Sequence, residues 1–185
     1  MISSIEKQPE IKAIIGLGNP GPMFNFTPHN IGFLIVDQLC DKFNGSAWQE
    51  KNNMQISKIS INSNQIILVK PQTFMNNSGQ IISHLNKSGI KQENILVVHD
   101  EIDFEFGKIS FKKSGSARGH NGLKSIIAHG GDNFLRLRVG VGRPENKNYD
   151  VGAFVTSKFQ ESNDQVQELI DNAIKLIENK LEQSI

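Results

Sequence analysis

Of five histidines in the 185-residue chain, His29 stands where a histidine can do chemistry. It lies on a loop rich in glycine and proline, residues 16–28, just ahead of a segment with helical periodicity. Loops on a rigid scaffold are where binding and catalytic groups concentrate. Imidazole titrates near neutrality, so it can take a proton from water at physiological pH. Such a base needs a partner that fixes its tautomer and stabilises the imidazolium. Asp100 is the candidate, because it follows the apolar run 95–98 and is expected to emerge at a buried strand's end. Open α/β sheets place their sites there. Alternation along the strand turns the neighbouring His99 to the opposite face, so a structural role is expected for it. Asn19, Asn76 and Asn121 each stand beside a glycine or where a loop enters a helix. They are neutral donors and acceptors suited to a carbonyl and the oxyanion that develops from it.

Cations suggest what such a site would meet. Net charge is only +1 over the whole chain. Residues 104–150, however, hold nine Lys or Arg against four acids, and residues 160–185 hold two against six. A basic central third invites a phosphate backbone. In residues 134–141, Leu135, Leu137, Val139 and Val141 share one strand face, and Arg136 and Arg138 share the other. Two residues along a strand span about 6.6 Å. Lys112 lies in the neighbouring basic stretch 108–113. No metal is expected, since His29, Asp100 and the asparagines lack a ligand spacing such as His-x3-His.

The loop Gly16-x-Gly18-x-x-Gly21 satisfies a dinucleotide-binding pattern literally. That pattern needs a helix to open at the loop and meet a pyrophosphate. Pro20, Pro22 and Pro28 crowd the next residues, and prolines remove backbone donors. A dinucleotide site is therefore not expected. Covalent serine catalysis has no Gly-x-Ser-x-Gly elbow to rest on.

The elements that must hold these residues alternate. Strands are read at 12–16, 54–61, 65–70, 95–98, 108–111 and 134–141, and helices at 30–43, 75–87 and 123–128. A last helix carries Val166, Leu169, Ile170, Ala173, Ile174, Ile177 and Leu181 on one stripe behind the capping box Ser162-x-x-Gln165. A hairpin and crossover helices together imply an α/β fold: a twisted mixed sheet flanked by helices, with a C-terminal amphipathic helix. The length fits a single domain over 1–185, with 1–10 a loose extension. Hydrophobic residues at 37% and charged residues at 21% suit a globular protein. One cysteine excludes an internal disulfide and a cysteine zinc cage. No apolar run approaches the ~20 residues of a membrane span, and residues 1–10 lack the pattern of a secretory signal, so a cytoplasmic protein is expected.

Five segments in order carry a resemblance. They are Gly16-Leu-Gly-Asn-Pro-Gly21 with Thr27-Pro-His-Asn-Ile-Gly32, then Lys70-Pro-Gln-Thr-Phe-Met-Asn-Asn-Ser-Gly79, then Val98-His-Asp-Glu-Ile-Asp103. Gly119-His-Asn-Gly-Leu-Lys124 and Arg136-Leu-Arg-Val-Gly-Val-Gly-Arg-Pro144 complete them. The chain resembles bacterial-type peptidyl-tRNA hydrolases over nearly its whole length. The resemblance implies a monomeric, cofactor-free enzyme that splits the ester between a peptide and the tRNA 3′ end. It makes His29 the base and Asp100 its orienter. It has Asn19 read the peptide amide, Asn76 position substrate and water, and Asn121 contact the 3′ end. Phe74 and Met75 would line the apolar wall, Phe24 would stack on the terminal nucleotide or the peptide, and Lys112 and Arg138 would clamp a phosphate of the acceptor arm. His120 is expected as a structural hydrogen bonder.

Three residues depart from that family's pattern. Phe24 replaces the usual tyrosine, Pro28 the usual arginine, and Arg118 a small residue. The rival reading is a catalytically silent RNA-binding relative, which would keep the basic face and have no use for His29 and Asp100.

Overall fold

Runs of β-branched residues become the centre of one sheet. The computed structural model describes residues 9–144 and 148–183; of the expected N-terminal extension, residues 1–8 lie outside them. Seven strands form in chain order: β1 Ala13–Gly16, β2 Gln49–Lys51, β3 Met54–Ile61, β4 Asn64–Pro71, β5 Ile95–Glu101, β6 Ile109–Lys113 and β7 Leu135–Gly140. Their order across the sheet is β2-β3-β4-β1-β5-β7-β6. The four central strands are parallel, and the pairs β2–β3, β3–β4 and β6–β7 are antiparallel, so the sheet is mixed as expected.

Helices cover both faces, each through its own apolar cluster. Helices α1 (Ile31–Lys42) and α5 (Asn163–Glu182) pack with Leu96 and Val98 of β5. Helices α2 (Ile82–Lys87) and α3 (Asn121–Gly130) pack with Ile95 and Val97 on the other face. Helix α5 opens on the capping box: Ser162 Oγ accepts from the Gln165 N–H, and Gln165 Oε1 from the Ser162 N–H. Its seven stripe residues are all buried. No helix among the described residues is long and apolar enough to cross a membrane.

Strands β4 and β5 flank β1 on opposite sides, so the chain reverses direction across the sheet at β1. Crevices at such a reversal, outside the carboxyl ends of the strands, are where open α/β sheets bind ligands.

Three expectations need correction. The helix expected at 75–87 is a 3-10 segment, Met75–Ile81, followed by the short α2. Asn76, Asn77, Ser78 and Gly79 are poor helix formers, and Gly79 is pressed onto α3. A Cβ there would stand 2.2 Å from Ser125 O, while the Gly79 N–H donates to Ser125 Oγ at 2.9 Å. Strand β5 runs on through Glu101, so Asp100 lies within it, opposite Val139. Pairing with β7 outlasts the apolar run. Two elements were not anticipated: the exposed strand β2 and helix α4 (Val151–Thr156), capped by Asp150 accepting from the Ala153 N–H at 2.9 Å.

Candidate active site

Asp100 is the hub of the site. Its side chain is 2% exposed, and two histidines converge on it from different elements. His29 sits in a 3-10 turn, Pro28–Asn30, that leads into α1, and its Nδ1 lies 3.0 Å from both carboxylate oxygens. His120 is the N-cap of α3. Its Nδ1 accepts the N–H groups of Gly122 and Leu123, at 3.1 and 3.3 Å. Its proton is therefore on Nε2, which donates to Asp100 Oδ1 at 2.8 Å. The anionic Asp100 accepts a hydrogen bond from the His29 Nδ1–H in the same way, leaving His29 Nε2 with a free lone pair.

Electrostatics follow from this packing. Burial alone would lower the His29 pKa, but the charge of Asp100 and its hydrogen bond raise it on balance. Burial would raise the Asp100 pKa, yet the two imidazoles facing it hold its carboxyl well below the usual carboxylate range. His99 is buried, and burial together with His120 pushes its pKa down to about 3. Its Nδ1–H donates to the Asp100 carbonyl at 2.7 Å, and its Nε2 has no partner among the described residues. As expected from alternation, His99 makes no bond to the Asp100 carboxylate.

A cavity of about 310 Å³ opens on His29, Asp100 and His120. Asn121, at the start of α3, lines it, as do Val151 and Val155 of α4. Asn19 is buried at the neighbouring crevice of about 460 Å³. Its Oδ1 accepts the Met75 N–H at 2.7 Å, which fixes the amide orientation and leaves Nδ2 as the free donor. Met75 itself is buried beneath it, whereas Phe74 is 61% exposed and meets Phe24 edge-on at 6.3 Å. Asn76 is exposed on the 3-10 segment that α3 supports.

The Gly16–Gly21 loop serves packing. A Cβ on Gly16 would stand 2.2 Å from Gly32 O, and one on Gly18 would stand 2.6 Å from the Phe33 ring. These glycines let α1 approach β1 and so carry His29 to Asp100. Asn30 completes the joint. Its Oδ1 accepts the Asn19 N–H and its Nδ2 donates to Asn19 O, both at 2.9 Å. Sequence reasoning missed Asn30, although it stands next to His29 and its side chain matches a backbone amide at both ends.

The cations share one strand face, as the alternation required. Lys112 lies opposite Arg136 and Ser110 opposite Arg138, which makes Lys112 and Arg138 diagonal neighbours. Arg138 lies over the Phe104 ring at 4.6 Å, and its Nη2 donates to Ser110 Oγ at 2.8 Å. Arg136 differs: it is 2% exposed, packs on Phe134, and donates to the carbonyls of Gly115 and Ser116. It belongs to the framework of the 114–119 loop.

Spacing along the chain could not reveal one further grouping. The ligand atoms of His29, Asp100 and His120 lie within 4.8 Å of one another, close enough to hold a metal ion. All three are engaged in the hydrogen bonds above, so the donor set equally serves proton transfer.

A family model described as peptidyl-tRNA hydrolase matches residues 13–185. The chain is 46% identical over 147 residues to the peptidyl-tRNA hydrolase of Wolbachia pipientis wMel, covering 79% of this chain and 80% of that protein. It is 41% identical over 177 residues to that of Rickettsia canadensis, covering 92% and 95%. The crystal structure of peptidyl-tRNA hydrolase from Acinetobacter baumannii superposes with a TM-score of 0.82 at 37% identity, covering 93% of this chain and 87% of that one. Such agreement along nearly the whole chain, in sequence and in fold, means that the protein belongs to the peptidyl-tRNA hydrolase family.

Proposed function

We propose that this protein hydrolyses the ester joining a peptide to the 3′ end of tRNA and so returns the tRNA to use. The observation that carries the reading is the hydrogen-bond chain from the α3 amides through His120 and Asp100 to His29. It leaves a basic nitrogen, His29 Nε2, beside a cavity large enough for the end of the substrate. In this mechanism Nε2 takes a proton from water as the water attacks the ester carbonyl. Asp100 steadies the imidazolium, and the proton then passes to the departing ribose oxygen. Asn76 and Asn121 position substrate and water. The free Nδ2 of Asn19 donates to the peptide's amide carbonyl, and so separates peptidyl-tRNA from free aminoacyl-tRNA. Phe24, Phe74 and Met75 form the apolar side of the substrate path. Lys112 and Arg138 hold a phosphate of the acceptor arm. The protein works as a monomeric single domain in the cytoplasm.

Peptide release from purified peptidyl-tRNA, by wild type and by His29→Ala, tests this. The variant is expected to lose at least ~100-fold in rate, the low end of a general-base contribution, with tRNA affinity and melting temperature nearly unchanged. Near-normal turnover by His29→Ala would remove the base. Wild-type protein that bound tRNA and released no peptide would mark a silent RNA-binding relative.

A further inference from the structure

The loop 114–119 contains four residues in the left-handed region: Ser114 (φ 57°), Gly115 (104°), Arg118 (46°) and Gly119 (86°). Glycine accepts this conformation freely, whereas a side chain with a Cβ is strained in it. The loop cannot relax by drifting. Besides the Arg136 guanidinium on two of its carbonyls, the Gly115 N–H donates to Asp132 Oδ2 at 2.8 Å. The Ser114 N–H donates to Phe134 O at 3.1 Å, and the His120 N–H to Ala117 O at 2.9 Å. A long cation is thus held at a strained position on a braced loop, and strain of this kind gathers where a site needs a group in one place.

The place is specific. Arg118 borders the cavity of His29, Asp100 and His120, and it also borders the narrow groove walled by Lys112 and Arg138. It is exposed and makes no hydrogen bond or ion pair among the described residues. Glu101 borders both spaces too, but it is buried and accepts the Asp103 N–H. A guanidinium offers a planar fork of donors that matches a phosphate.

We propose that Arg118 binds a backbone phosphate of the substrate's 3′-terminal nucleotides, between the ester at His29 and the clamp at Lys112 and Arg138. The proposal rests on the reading above and adds a second phosphate subsite to it.

Two variants separate charge from strain. Arg118→Gly removes both, and Arg118→Gln removes the charge alone. Both are expected to raise KM for peptidyl-tRNA roughly 3–10-fold, the worth of one ordinary hydrogen bond or ion pair at a solvent-exposed site, with kcat held within about 2-fold. Both should flatten the log–log salt dependence of tRNA binding by up to about 0.7, the single-strand value. Arg118→Gly should melt at or above the wild-type temperature. A peptide on a short 3′-terminal fragment should keep its sensitivity to Arg118→Gln and be blind to Lys112→Ala. Unchanged KM and salt slope in both variants overturn the proposal. So does a loss in Arg118→Gly that Arg118→Gln does not share, because that would be conformational. Wild-type protein inert on every substrate overturns the enzymatic reading instead, and the salt slope of tRNA binding still judges Arg118.

Discussion

Asp100 and Arg138 lie on adjacent strands one register position apart, yet their surroundings are built on opposite plans. Around Asp100 the polar groups form a closed chain: α3 amides to His120, His120 to Asp100, Asp100 to His29. Each proton there has one place to be. Around Arg138 the chain is open. Lys112 makes no hydrogen bond or ion pair among the described residues, and the partly exposed Arg138 is tied to a side chain only through Nη2 on Ser110 Oγ. A closed buried network fixes tautomers and ring orientation, which matters for a transition state. An open cationic face offers donors to whatever anion arrives, which matters for binding. Damage to the first region should therefore show in kcat, and damage to the second in KM and salt dependence.

The largest effect expected is the loss of at least ~100-fold on His29→Ala. Asp100→Asn comes next, at roughly 10–100-fold in kcat, because an amide orients imidazole poorly and cannot stabilise the imidazolium. Its more telling effect is on pH. Asp100 is what raises the His29 pKa against the lowering effect of burial. The wild-type rate should rise with pH as His29 deprotonates, along a limb displaced above the ordinary histidine range. In Asp100→Asn that limb should move to lower pH. A limb that stays in place would mean that another group titrates.

On the open face, Lys112→Ala and Arg138→Ala should each raise KM by roughly 3–10-fold with kcat nearly intact, and should flatten the salt slope by up to about 0.9. Arg136→Ala sharpens the comparison, because Arg136 shares their strand face and is built like the closed region. Removing it strands the Gly115 and Ser116 carbonyls, at a cost of about 1–3 kcal/mol in stability by urea unfolding. Turnover should fall with it, since the same loop leads into His120. An Arg136→Ala protein of full stability with only a KM defect would put Arg136 in the clamp with Arg138.

Much of this was legible in the sequence. The period-two run of β7 put Arg136 and Arg138 on one face, and the stripe with its capping box fixed α5. The apolar run 95–98 marked the strand that carries His99 and Asp100, although pairing with β7 extends that strand through Glu101. What stayed hidden depends on contacts between distant residues. Alternation cannot tell that Arg136 is buried under a loop while Arg138 stays partly exposed, since both occupy the same face. Asn30 looked like one asparagine among many until its amide met the backbone of Asn19. The closeness of His29, Asp100 and His120 comes from three separate elements meeting at the reversal point of the sheet, and no local spacing encodes that. Helix α4 is six residues long, too short for a periodic signal, although Asp150 is a fair N-cap.

The last expected effect is on stability alone, at the seam between the two regions. His99 pairs with Arg138 in the strand register and packs its ring against His120, 5.0 Å away. Burial, with His120 beside it, lowers its pKa from the ordinary histidine value to about 3, so it is neutral in the folded protein across the physiological range. The unfolded chain protonates this histidine near pH 6.5, and the folded protein does not until about pH 3. Between those values the unfolded state binds the extra proton, so stability falls as pH falls, by up to about 1.4 kcal/mol per pH unit. The window is free of the neighbouring pair. His29, with its raised pKa, has gained its proton in both states below pH 6.5, and its contribution is lost only as pH rises through the folded value. Asp100, held low, loses its contribution only as pH drops below the usual carboxylate range. Urea midpoints at pH 6.5, 5.5 and 4.5 should therefore decline in wild type and decline less in His99→Asn, whose amide can still donate to the Asp100 carbonyl but cannot take a proton. Parallel declines in the two proteins would mean that His99 is protonated in the folded state, and that the closed network around Asp100 extends no further than His120.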